Sequence, residues 1–216
     1  GGIYVVPQPY EGVGISIVPT PLFNVSYRRF YIYGTEGGFR WNERSLLGWR
    51  VFVTPRFMGY SAKDSDALEG MDSRSYSGDA GAGITIRPIP FIIDLKVRSD
   101  ILGKSGGQDA TLDVDLLLPA GGWLLRPSAG LQWQSGDLAD YYYGVRRSEA
   151  RPGRPADTIG ASLNWYVEVE VNRKIGERWT FAAGLTVTRL DPDIAASPIV
   201  SSSDSKSGYI GLLYDF

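Results

Sequence analysis

Residues 162–172 alternate without a fault: Leu163, Trp165, Val167, Val169 and Val171 interleave with Asn164, Tyr166, Glu168, Glu170 and Asn172. A period of two puts the first set on one face of a strand and the second on the other. The same pattern recurs along most of the chain, and it limits the fold more than any other feature. Each segment must line an apolar medium on one side and a polar one on the other.

In 179–188, Trp179, Phe181, Ala183, Leu185 and Val187 oppose Thr180, Ala182, Gly184, Thr186 and Thr188. Upstream, similar alternation covers 47–57, 75–87, 93–101, 111–118 and 123–134. Residues 1–6 and 14–18 add to the set. In 22–42 the phase slips between Tyr27 and Phe30, which predicts a β-bulge near Arg28–Arg29. No helical period of useful length appears, and no run approaches the about 18 apolar residues of a transmembrane helix.

The pattern predicts about ten strands of roughly 9–13 residues, the length that crosses a bilayer obliquely. Twelve is the alternative, if 14–18 and 38–42 each cross separately. Short joints fall near 43–46, 88–90, 119–122 and 174–177. Long polar joints fall near 7–21, 59–74, 102–108, 135–157 and 190–206. Short turns on one side against long loops on the other is the outer-membrane arrangement.

Alternation alone also fits a soluble barrel of lipocalin type, with the apolar face inward. Three features favour lipid. Trp49, Trp123, Trp133, Trp165 and Trp179 sit near strand ends, where girdle aromatics belong. The apolar face carries essentially no charge. The polar face mixes signs, with Asp94, Lys96, Arg98, Asp113, Asp115, Arg126, Glu168 and Glu170 as candidate lumen charges. The fold expected is an all-β, closed antiparallel up-and-down transmembrane β-barrel in one domain, 1–216, in the bacterial outer membrane.

The last residues, Gly208 to Phe216, alternate too, and Tyr214 and Phe216 resemble the assembly signal read by the barrel insertion machinery. The chain opens inside a strand at Gly1, with no leader in view, as expected of an exported protein after processing.

Net charge is −2, so no electrostatic case for nucleic acid exists. There is no Cys and no His. That excludes disulfides, thiolate nucleophiles, Ser-His-Asp triads and His metal sites. No cofactor, metal or catalytic residue is expected. Acid pairs such as Asp113/Asp115 and Glu168/Glu170 share a face and leave an acid–base enzyme as a remote reading.

Three loop segments resemble the MipA/OmpV family of outer-membrane proteins. Pro7-Gln8-Pro9-Tyr10-Glu11-Gly12 resembles its P-x-Y-x-G stretch. Asp64 to Met71 resembles its D-x-x-L-x-G-M loop. Tyr142-Tyr143-Gly144-Val145, followed by Ser148-Glu149-Ala150, resembles its Y-Y-G-V…E-A segment. Read from the residues, Pro9 and Gly12 make a turn anchored by Tyr10, Gly144 permits a backbone kink, and Tyr141 to Tyr143 fold inward as a plug or sit at the outer interface. The resemblance implies a non-enzymatic scaffold whose partners are a lytic transglycosylase and a penicillin-binding protein. A narrow small-solute pore and a surface adhesin are the alternatives.

Overall fold

Where the alternating runs meet at short joints, neighbouring strands turn back and pair antiparallel. A computed structural model describes residues 1–20, 23–43 and 45–215. Among them are the short strands β1 (Gly2–Pro7), β2 (Ile15–Thr20), β3 (Phe23–Tyr27), β4 (Phe30–Tyr33) and β5 (Glu36–Trp41). The long ones are β6 (Leu47–Arg56), β7 (Ser77–Ile86), β8 (Phe91–Asp100) and β9 (Gln108–Leu116). After β10 (Leu118–Ala120) come β11 (Trp123–Gln134), β12 (Ser162–Ile175), β13 (Trp179–Arg189) and β14 (Asp204–Asp215).

All fourteen belong to one strongly curled sheet. Its order is β13-β12-β11-β9-β8-β7-β6-β5-β4-β3-β14-β1-β2, with β10 beside β11 and a further pairing of β13 with β14. Every pairing is antiparallel except a two-residue parallel contact of β14 with β3, at Tyr214/Phe23 and Asp215/Asn24.

Fourteen strands exceed both the ten expected and the alternative twelve. The short pieces around 14–18 and 38–42 are strands in their own right. Leu117 separates β10 from β9. The phase slip at Arg28–Arg29 is no bulge: Tyr27 pairs with Phe30, and Arg28 takes φ 56° in a two-residue hairpin turn. Such a turn places residues i and i+3 on one face, so the apolar phase shifts by one in sequence while the face stays the same. A second tight turn, with Gly34 at φ 57°, reverses β4 into β5.

The connections at 28–29, 87–90, 121–122 and 176–178 lie at one end, the turn side, with residues 42, 43, 45 and 46. Those at 8–14, 57–76, 101–107, 135–161 and 190–203 lie at the other, the loop side. The Gly34–Thr35 turn is the exception, being short yet directed toward the loops.

The two faces are the reverse of a soluble fold. Trp165, Val167, Val169 and Val187 are exposed on the outer face, and Leu185 is 72% exposed. Asp79, Asp109, Gln134, Asn164 and Glu170 are buried on the inner face. The apolar core lies instead among the long loops. Leu68, Leu138, Tyr142, Ile194 and Ile199 are fully buried there, with Tyr10 beside them.

Candidate functional site

The curl of the sheet brings inward-facing side chains from distant strands within reach, and they form two belts. The upper belt lies just beneath the loops. Arg56 on β6 pairs with Asp79 at 2.7 Å and with Asp109 at 3.0 Å. Arg98 on β8 grips the other side of Asp109 at 2.7 Å, from the cross-strand position. Asp109 is thus held by two guanidiniums in a dry setting, where such bonds are strong and a missing partner is costly.

The middle belt is larger. Asp94 accepts two bonds from Arg50, at 2.9 and 2.7 Å, and one from Thr85 at 2.6 Å. Asp94 and Asp113 face each other directly across β8 and β9. Lys96 Nζ stands 3.6 Å from a carboxylate oxygen of each, offsetting their repulsion. Arg126 is shared by Asp115 at 3.5 Å and Glu170 at 3.4 Å. The Tyr166 and Tyr209 hydroxyls donate to Asp113 and Glu170. Glu168 accepts from the Thr186 hydroxyl at 2.8 Å. Between these walls lies a cavity of about 690 Å³ whose lining reaches Trp41, Glu43 and Arg87 at the turn side.

Above the belts the long loops fold into a lid. Helix α1 (Gly136–Tyr143) is capped by the Ser135 hydroxyl, which accepts from the Leu138 N–H. Helix α2 (Pro192–Ala195) starts with Asp191 as its cap and Pro192 in the first turn. The sequence pattern missed both because each is too short to show a period.

The lid is tied together across long sequence distances. Arg74 donates to both Glu149 oxygens at 2.9 Å, and to the Tyr141 carbonyl at 2.6 Å. Arg154 donates to the carbonyls of Glu149, at 2.8 Å, and of Glu69, at 3.1 Å. Bridges join Tyr10 to Val200, Tyr60 to Arg74 and Val145 to Asp157. Burial alone would raise the Glu149 carboxyl, but bonds from Arg74 and from the Arg146 and Asp72 N–H groups hold it below its usual range. Burial pushes the Tyr143 phenol up to about 12, and Tyr10 well above its ordinary value.

The candidate loop residues therefore meet inside the lid. Tyr10 packs against Tyr60, with ring centroids 4.6 Å apart, and near Tyr143. The Pro9 carbonyl accepts from the Ser201 N–H at 2.8 Å. Gly12, at φ 72°, turns the chain against Ser65. Tyr142 donates to the Ser75 carbonyl. Gly144 makes no kink that needs glycine: its φ is −77°. What it supplies is space, because a Cβ there would stand 2.6 Å from the Asp140 carbonyl oxygen. Tyr214 lies far away, edge-on to Trp179 and accepting from Arg178 at 3.0 Å. Phe216 is outside the described residues.

Leu68, Met71, Tyr142, Tyr143 and Val145, from two of the family-like segments, share one core with Tyr10 from the third. Against known proteins, the profile described as MltA-interacting protein MipA matches residues 1–216. This chain belongs to the MipA family. Among relatives, outer membrane protein OmpV of Vibrio cholerae is 28% identical over 163 residues, covering 76% of this chain. The chain spans 63% of the length of that Vibrio relative. The MltA-interacting protein of Escherichia coli K12 is 27% identical over 220 positions, covering 100% of this chain and 88% of its own length. The putative outer membrane protein YiaT of the same strain is 25% identical over 213 residues, covering 97% and 86%.

This MipA-family chain is accordingly an outer-membrane protein. Among the described residues no helix is long and apolar enough to cross a membrane, a fact that leaves strands unaddressed.

Proposed function

We propose that this MipA-family chain is a non-enzymatic membrane barrel that serves as a platform for a murein-remodelling enzyme, a lytic transglycosylase being the first partner. The observation that carries the reading is the family match along residues 1–216, with a full-length relative named for interaction with MltA. The pairings of β14 with β13 and with β3 support closure of the sheet into a barrel with lipid on its apolar face.

Charge supports the turn side as the docking face. Arg28, Arg29, Arg173, Lys174 and Arg178 cluster there against Glu43 and Glu177, whereas the loops hold seven basic against eleven acidic residues. A rim with an excess of positive charge suits an acidic partner surface and steers its approach. Arg29 lies over Trp41 and Arg173 over Trp123, at 6.0 and 5.1 Å, which holds the rim at the aromatic girdle.

The test is crosslinked pull-down with a purified lytic transglycosylase. Capture that falls at least tenfold in the Arg28→Glu/Arg29→Glu variant supports the platform. Absence of capture, or capture indifferent to the reversal, contradicts it.

A further inference from the structure

The sheet closes unevenly along its height. On the turn side β14 meets β3 at Tyr214/Phe23 and Asp215/Asn24. Toward the loops the hairpin of β1 and β2 takes that place: β1 pairs with β14 from Gly2/Gly211 to Val5/Gly208, and β2 pairs with β1. Among the described residues β1 is the one strand beside β2. On the other flank the Gly34–Thr35 turn ends the β4–β5 hairpin, and β5 follows β6 only as far as Gly37/Val53. Thr54, Pro55 and Arg56 of β6 continue upward with β7 as their partner among the described residues. A seam is left in the wall between β2 and the upper part of β6.

The sequence suits such a seam. Pro19 in β2 and Pro55 in β6 have no N–H to give to a ladder, and proline is confined to strands with an open edge or to strand starts and bulges. Phe57 meets Tyr76 edge-on at 5.9 Å, an aromatic pair at the loop-side boundary of the apolar band. Thr54 to Arg56 lie just beneath it. An open sheet edge within that band is tolerated only where it lines a wet or filled cavity.

Two cavities flank the seam at different heights. The lower, about 340 Å³, lies between Gly2, Ile3 and Tyr4 on one side and Gly34, Thr35 and Thr54 on the other, with Leu213 and Ala182 behind. Its two carboxylates, Glu36 and Glu170, are engaged by Arg50 and Arg126, which leaves a largely apolar lining. The upper, about 570 Å³, runs from Gln8, Ile15 and Ser16 to Ser61 and Ser75. Its charged residues are one acid, Asp64, and one base, Arg74, so its lining has no net charge. A polar chamber at the interface thus stands above an apolar one inside the wall, the layout of an amphiphile.

We propose that the seam holds a zwitterionic phospholipid by one acyl chain. The head lies in the upper cavity, and the chain passes between β2 and β6 into the lower one. The head's polar atoms and interior water meet the open strand edges. Ile15 and Ile17, at 66% and 64% exposure, border the path from the bilayer. A head of zero net charge matches an upper lining with one acid and one base, and an anionic head does not. The site lies in the wall toward the loops, apart from the docking rim at the turns, so it stands or falls independently of the partner reading.

The test is native mass spectrometry of the full chain released from bilayer nanodiscs and titrated with lysophosphatidylethanolamine. Retention of one lysolipid per chain is expected. It should be at least tenfold weaker in Thr54→Trp, which fills the lower cavity, and in Ser16→Trp, which fills the upper. Val114→Ala, on the exposed outer face of β9, should leave it unchanged. Lysophosphatidylglycerol, whose head is anionic, should be retained at least tenfold less. Heat-modifiable gel mobility identifies folded variants. Four results would each overturn the proposal: no retained lysolipid; full retention in both folded cavity variants; an equal loss in Val114→Ala, which marks lipid held by the outer wall at large; or equal retention of the anionic analogue. The first and last are read on the unaltered protein, so they decide the matter even if a cavity variant fails to fold.

Discussion

Arg74 donates two hydrogen bonds to Glu149 across 75 residues of sequence, and both side chains are almost wholly buried. This pair joins the loop after β6 to the loop after β11, and so fastens the lid over the polar interior. Its geometry is bidentate, the arrangement in which a buried ion pair best offsets its desolvation.

Replacing Arg74 with Met leaves the Glu149 carboxylate buried without its guanidinium. The expected loss of local lid stability is about 3–5 kcal/mol. Hydrogen exchange over 57–76 and 135–161 reads it directly: faster exchange there, with the strands unchanged. Unaltered exchange would show that the pair does not hold the lid.

The lid also responds to pH at both ends of the scale. The folded-state pKa of Glu149 lies below its ordinary value of 4.5. Its contribution is therefore present above about pH 4.5 and lost as pH falls through the depressed value. In alkali the sign is opposite. Tyr60 and Tyr143 titrate near 12 through burial, so their contribution is full below about pH 10 and lost as pH rises toward 12. Exchange of lid amides measured from pH 3 to pH 7 should show the acid loss in the native protein, and Glu149→Gln should flatten it. Ultraviolet titration should find several phenols silent at pH 10.

Gly144→Ala should loosen the same region, because the new methyl meets the Asp140 carbonyl at 2.6 Å. The cost is about 1–3 kcal/mol, that of overpacking a filled site. Proteolysis of the 135–161 loop is the readout, and wild-type resistance would refute the steric argument.

In the upper belt, Asp109→Asn removes the carboxylate partner of Arg98 and one of the two of Arg56, and should lower whole-chain stability by about 3–5 kcal/mol. Arg189→Gln removes an exposed pair with Asp204 and should change it by less than about 1 kcal/mol. Urea-dependent loss of heat-modifiable mobility compares the two.

A covered interior predicts electrical silence. In planar bilayers the native protein should show no stable openings, and Arg74→Met should produce them. Stable native openings abolished at Arg98 or Glu168 would favour a pore.

The strand faces were legible because a strand between an apolar and a polar medium must alternate with a period of two. β6 to β9 and β11 to β14 follow it closely. β2 and β5 did not stand out, since their few residues fall short of a bilayer crossing. Arg28–Arg29 misled because a two-residue turn and a bulge shift the phase alike. The partners in the belts were harder still: alternation marks Arg56, Asp79 and Asp109 as inward-facing but not as neighbours, and only strand order brings them together. The lid had one cue, the apolar Tyr10, Leu68, Met71 and Val145 within otherwise polar loops. Arg74 and Glu149 had none, because no local pattern connects residues so far apart.

The central claim is that the apolar face of the curled sheet meets lipid and the polar face does not. The chain has no Cys, so single substitutions give clean labels. Spin labels placed singly at Val167, Glu168, Val169, Leu185, Thr186 and Val187 in bilayer-reconstituted protein should alternate in oxygen accessibility. High values are expected at Val167, Val169, Leu185 and Val187, and low values at Glu168 and Thr186. Accessibility of the opposite phase, or with no alternation, would contradict the account.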